Sequence, residues 1–168
     1  MMTIVQNGDP VLRKKAVEVG ADEFGSKELL TLINEMTETL AAEKDGVALA
    51  APQVGISKRI FIVRYDRMRP EPGDDAAPDV GVFINPTFVK SSRRVELVDE
   101  GCLSVRGTYG QVHRYERATV RAYDERGKVF ERGGGGILAQ AFQHETDHLN
   151  GTLFIDHAEN LRDLEPHE

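Results

Sequence analysis

His144-Glu145-Thr146-Asp147-His148 spells H-E-x-x-H near the end of the chain. On a helix, residues four apart lie about 40° from each other on one face. Two imidazoles at that spacing can reach one divalent ion, and the glutamate between them can carry a proton. The chemistry this predicts is metal-dependent hydrolysis.

A catalytic ion ordinarily takes three protein donors and leaves one position open. H-E-x-x-H supplies two of them. The third is open to Glu, His, Asp or Cys. The Gly-x-x-His continuation of one peptidase type is absent, because Leu149-Asn150-Gly151-Thr152-Leu153 follows His148. Downstream acids exist at Asp156, Glu159, Asp163 and Glu165. Upstream, Cys102 lies 42 residues before His144 within Asp99-Glu100-Gly101-Cys102-Leu103-Ser104. Its thiolate would suit a borderline-soft ion. A lone cysteine also serves as a small buried residue. His113 and His157 read as surface or satisfied histidines.

The elements that must position these groups show in the periodicity. Leu29, Leu32, Ile33, Met36 and Leu40 recur at helical spacing, which predicts a helix over 26–43 with Ser26 as N-cap. A second helix, over 137–149, carries the motif and stops at Asn150-Gly151. Gly46 to Gly55 reads as a small-residue loop. Strands are expected at 60–63, 82–84, 95–97 and 118–123, with turn chemistry at Asp124–Gly127 before Val129-Phe130. The Gly133–Gly136 run reads as a loop feeding the second helix. Residues 65–80, rich in Pro, Asp and Gly, read as a flexible surface insertion. Strands and helices do not alternate. The expected fold is therefore α+β, with antiparallel sheets packed around a central helix that bears H-E-x-x-H.

The 168 residues suit one domain over 1–168, with 157–168 as a short tail. Hydrophobic residues are 40% and charged residues 29%, an ordinary globular composition. A net charge of −7 argues against nucleic acid or anionic membrane as the main partner. The Arg64/Arg67/Arg69 and Arg93/Arg94 clusters read as solvated faces. The N-terminal stretch has no secretory pattern, and no apolar run is long enough to span a bilayer. One cysteine excludes an intrachain disulfide, so a reduced cytoplasmic setting is expected.

Three segments together resemble the peptide deformylase family: Gly46-Val-Ala-Leu-Ala-Ala-Pro-Gln53, Glu100-Gly-Cys-Leu-Ser104 and Gln143-His-Glu-Thr-Asp-His148. Asp9–Arg13, Phe83–Pro86 and Gly151–Asp156 are also similar to family segments. The resemblance implies the deformylase fold and removal of the formyl group from N-formylmethionyl peptides of newly made proteins. It implies Cys102, His144 and His148 as metal ligands, with Fe2+ typical and Zn2+, Ni2+ or Co2+ able to occupy the site. It implies Glu145 as the proton carrier, and the Gln53 side-chain amide and Leu103 N–H as oxyanion donors. Glu100 and Arg114 match an ion pair that supports the site. The resemblance further implies a cytoplasmic, usually monomeric enzyme whose partners are nascent peptides met at the ribosome, with no direct nucleic-acid binding.

Val47, Ala48, Val98, Gly101, Ile137 and Ala141 are the residues expected to hold the substrate. The chain departs from the family pattern at Ala48, where a glycine is usual, and at Arg106, where a proline is usual. Tyr109 stands where many relatives carry a basic residue. Two other readings stay open: an H-E-x-x-H endopeptidase with an acidic third ligand and a structural Cys102, and a non-catalytic relative that only binds.

Overall fold

The computed structural model describes residues 1–69 and 77–164. Two antiparallel sheets enclose a helix. Strands β1 (Ala48–Ala50), β2 (Ile60–Arg64), β3 (Val80–Ser91), β6 (Arg117–Tyr123) and β7 (Val129–Gly135) form a five-stranded sheet in the order β1-β2-β3-β6-β7. Strands β4 (Val95–Cys102), β5 (Val105–Tyr115) and β8 (Glu159–Asp163) form a second sheet in that order. Helix α1 (Lys27–Ala41) and helix α2 (Gly136–Leu149) pack on opposite faces of the larger sheet.

The run Ile60-Phe61-Ile62-Val63 explains that sandwich. Strand side chains alternate between faces, so a strand covered on both sides is apolar throughout. Ile60 and Ile62 meet Leu29, Ile33, Met36 and Leu40 of α1. Phe61 and Val63 meet Ala141 and Phe142 of α2. A third cluster, of Leu12, Val105, Val112, Leu153 and Phe154, backs the smaller sheet.

Both helices end as their caps direct. Ser26 Oγ accepts from Leu29 N–H at 3.2 Å. Gly151 adopts a left-handed φ of 79°, and a Cβ there would lie 2.6 Å from the Arg13 carbonyl oxygen. The Arg59 guanidinium donates to the Leu149 carbonyl at 2.9 Å and to Asn150 Oδ1 at 3.0 Å.

Several expectations need correction. The glycine run is no loop: Gly133, Gly134 and Gly135 pair with Thr119, Ala118 and Arg117 as the end of β7. A ladder needs only backbone groups, and glycine has them. Strand β5 had no sequence signal because two of its buried positions are Gly110 and Arg114 rather than apolar residues. The tail contains a strand, β8, all five residues of which are exposed and which is held to β5 through backbone pairing. Both ends of the expected insertion at 65–80 are regular structure. Tyr65–Met68 is a 3-10 turn, and Val80 already belongs to β3. Residues 70–76 lie outside the described residues.

In the Arg64/Arg67/Arg69 cluster only Arg69 is exposed as expected. Arg64 and Asp66 are buried and share two hydrogen bonds, at 2.9 and 2.7 Å. Arg67 donates to the carbonyls of Leu40, Ala41, Glu43 and Gly46, which closes the end of α1. Asp66→Asn strands a buried cation and is expected to lower the unfolding free energy by about 3 kcal/mol in urea at pH 7. The bond from Arg64 holds the Asp66 carboxyl below the ordinary range. Its contribution is therefore present above the usual carboxylate pKa and fades as pH falls, so the gap between variant and parent narrows in acid. A pH-independent gap would contradict this account.

Candidate metal centre

Helix α2 presents His144 and His148 on one face, and its register is pinned at its middle and at its C-terminal end. Besides Arg59 at its end, Gln143 accepts from Tyr115 N–H at 2.8 Å and donates to the Tyr115 carbonyl at 3.0 Å. This bidentate clasp ties the helix to β5. Cys102 arrives from the end of β4, where the pairing with β5 shifts register between Gly101 and Cys102.

The three side chains meet. Cys102 Sγ lies 3.3 Å from His148 Nε2, which lies 3.2 Å from His144 Nε2. All three donor atoms fall within 4.8 Å of one another. A tetrahedral ion with usual bond lengths asks for about 3.3 Å between two nitrogens and about 3.6 Å between nitrogen and sulfur. The donor set therefore fits a borderline-soft divalent ion in spacing and in type. Among the described residues no carboxylate completes such a cluster with the two histidines. Asp156 is held by Arg13 at 2.6 Å. Glu159 and Asp163 stand exposed on β8. His113 and His157 are surface residues.

Behind His144 stands a charged network. His144 Nδ1 faces Glu100 Oε1 at 2.5 Å, which leaves Nε2 for the site. Arg114 grips Glu100 through Nε and Nη2, at 3.1 and 2.5 Å, and reaches Asp147 through Nη1 at 2.7 Å. Burial opposes the charge on Glu100, but the bonds from His144 and Arg114 outweigh it and pull the carboxyl down to about 2. Burial likewise opposes charge on His144, and the Glu145 charge with the bonds to Cys102 and Glu100 overcomes it, so His144 is raised. His148 is lowered, first by burial and then by the neighbouring His144.

Glu145 is 3% exposed, and its Oε1 has no partner among the described residues. Its Oε2 lies 3.8 Å from His144 Nε2. Burial pushes its carboxyl up to about 7. An acid with that affinity can accept and return a proton near neutral pH.

Gln53 sits in a 3-10 turn (Ala51–Val54) that follows β1. Its Oε1 accepts from Ala50 N–H at 2.9 Å, so Nε2 points toward Cys102 Sγ, 3.6 Å away, and Ser104 Oγ, 3.2 Å away. Leu103 N–H has no protein acceptor among the described residues. Both are donors beside the sulfur.

A cleft of about 530 Å³ opens onto these groups. Val47, Ala48, Gly101, Ile137 and Ala141 line it, together with Gln53, Glu100, Cys102, Leu103, His144 and Glu145. Val98 does not. It shares a strand face with Glu100 but lies four residues, about 13 Å, up β4 from Cys102. Arg114 lies behind the wall. Arg106 is on the rim in a bidentate pair with Glu43, at 2.8 and 3.4 Å. Tyr109 packs across Gly101, where a Cβ would meet its ring at 2.7 Å.

Sequence reading missed three participants. Asp147 and Gln143 lie within or beside the motif but carry no signature of their own. Gln140 could have been found, because it sits one turn before His144 on the same helical stripe.

Known proteins are similar to this chain in both sequence and fold. The family model for polypeptide deformylase matches residues 1–163. A peptide deformylase of Heliobacterium modesticaldum is 42% identical over 157 residues, covering 94% of this chain and 93% of that protein. One from Clostridium botulinum is 45% identical over 156 residues, covering 93% and 95%. The fold superposes on a class I type b peptide deformylase from Acinetobacter baumannii bound to Met-Ala-Ser, with a TM-score of 0.82, 38% identity, and coverage of 94% and 98%. Sequence, fold and the Cys-His-His cluster agree, and the chain belongs to the peptide deformylase family.

Proposed function

We propose that this chain is a peptide deformylase that removes the N-formyl group from N-formylmethionyl peptides of newly made proteins and releases formate. The observation that carries this reading is the Cys102–His144–His148 triangle, with the Glu145 carboxylate and the Gln53 amide beside it on one cleft wall. Cys102, His144 and His148 would hold one divalent ion. Bound there, it supplies a Lewis acid that polarises the formyl oxygen and makes water a better nucleophile. Glu145 takes the proton of the attacking water and returns it to the departing amine as the formyl C–N bond breaks. Gln53 Nε2–H and Leu103 N–H donate to the oxygen that gains charge. Glu100, backed by Arg114, keeps His144 aimed.

The cleft runs between two strands that each end a sheet, β1 and β4. A peptide can therefore add as a strand, held by backbone bonds that are blind to its sequence. Val47, Ala48, Gly101, Ile137 and Ala141 would surround its first side chain. The small Ala48 and Gly101 let the backbone come close, while Arg106 and Tyr109 shape the rim. We assign Fe2+ as the native ion, with Zn2+, Ni2+ or Co2+ able to replace it. We further infer one catalytic domain that works as a cytoplasmic monomer on nascent chains. None of the described helices is long and apolar enough to cross a membrane.

The test is formate release from formyl-Met-Ala-Ser by anaerobically prepared protein, with metal quantified on the same sample. The expected result is turnover with about one ion per chain. A metal-loaded protein that releases no formate would overturn the assignment.

A further inference from the structure

The Glu100 carboxylate accepts a fourth contact that lies outside the ion pair with Arg114 and the link to His144. Gln140 Nε2 donates to Glu100 Oε2 at 3.1 Å. The same nitrogen donates to the Asp99 backbone carbonyl at 2.9 Å. Gln140 is half-buried on the cleft wall, one helical turn before His144.

Each bond has a reason. Glu100 Oε1 is shared by His144 and Arg114, and Oε2 by Arg114 and Gln140. With four donors around it, the carboxylate has one orientation, and His144 Nδ1 inherits it. Strand β4 ends its sheet, so backbone groups that point away from β5 need partners elsewhere. Gln140 satisfies the Asp99 carbonyl. Strand geometry repeats every two residues, so the Gly101 backbone faces the same way as Asp99, toward the cleft.

We propose that Gln140 is a positioning residue: its one amide pins both the carboxylate that aims His144 and the last occupied carbonyl of the β4 edge. It thereby fixes where an added peptide strand begins relative to the ion. This rests on the reading of Cys102, His144 and His148 as ligands.

The test uses the full chain and Zn2+ in competition with a chelator. Gln140→Met keeps the length of the side chain and removes the donor. Its Zn2+ affinity is expected to fall about tenfold, as for other groups that orient a ligand, at an unchanged fold by circular dichroism. KM for formyl-Met-Ala-Ser is expected to rise; an unchanged KM overturns the edge-strand half of the proposal. Gln140→Leu is the second variant, and either variant that folds with parental Zn2+ affinity overturns the other half. In a Glu100→Gln background the Gln140→Met effect is expected to drop below about twofold, because Gln140 acts through Glu100. Full additivity overturns that route. Parental protein that binds no Zn2+ would instead refute the ligand assignment.

Discussion

Glu145→Gln is expected to lower kcat by about 10³-fold while leaving metal affinity near that of the parent. The amide keeps the shape of a side chain that is 3% exposed and whose Oε1 has no partner among the described residues. What it loses is the ability to take a proton. Among the described residues no other group stands ready to replace it: His144 and His148 point Nε2 at the ion site, and the Glu100 carboxylate is fully engaged by His144, Arg114 and Gln140. A second readout follows from burial. Glu145 is pushed up to about 7, above its unfolded value. In metal-free protein the native state then binds more protons than the unfolded state between about pH 4.3 and 7. That contribution to stability is complete below the unfolded pKa and is lost as pH rises through 7. The glutamine variant does not titrate there. Its stability relative to the parent should therefore increase from pH 5 to pH 8 in urea unfolding with chelator present. Unchanged turnover in a metal-loaded variant would remove Glu145 from the mechanism.

The site was legible where its geometry is local. His144, Glu145 and His148 lie within five residues of one helix, and helical spacing alone brings the imidazoles together. Cys102 was legible only as one option among several donors. What turns it inward is a register shift between Gly101 and Cys102, and nothing in the residue types announces a bulge. Gln53 was visible through the resemblance alone, since its aim depends on a bond from Ala50 N–H made inside a 3-10 turn. Substrate contacts were the weakest part. Val98 has the right residue type and the right strand face, yet stands too far along β4 to reach the cleft. The fold shows the same division. Strands with an unbroken apolar run, such as β2, or with apolar alternation, such as β6, announced themselves. Strand β5 did not, because the buried Arg114 occupies a core-facing position for the sake of Glu100. The binary pattern broke where the site is built. Asp66 looked like part of a surface insertion because its partner, Arg64, also reads as a surface residue; only their pairing buries both.

Cys102→Ser carries the largest expected effect on the ion. Removing the thiolate leaves two imidazoles, and a serine hydroxyl stays protonated and binds a borderline-soft ion poorly. Structural zinc sites with four donors are held by roughly 10–16 kcal/mol, so one donor is worth a few kcal/mol. Affinity should drop on the order of 10³-fold, and protein purified without added metal should carry far less than one ion per chain. No acid is placed to compensate among the described residues. Glu100 Oε1 sits against the far nitrogen of His144, and Asp156 is tied to Arg13. Among the described residues Glu145 is the one carboxylate nearby with an unpartnered oxygen, and recruiting it as a ligand would remove the proton acceptor. A serine variant rescued by excess metal should therefore bind the ion yet turn over slowly. The fold should survive, because the sulfur's other neighbours, Gln53 and Ser104, keep their bond to each other. Metal analysis and formate release on the same preparation decide the matter. If the serine variant kept both its ion and its activity, Cys102 would be a structural residue, and the chemistry would belong to an H-E-x-x-H site with an acidic third ligand.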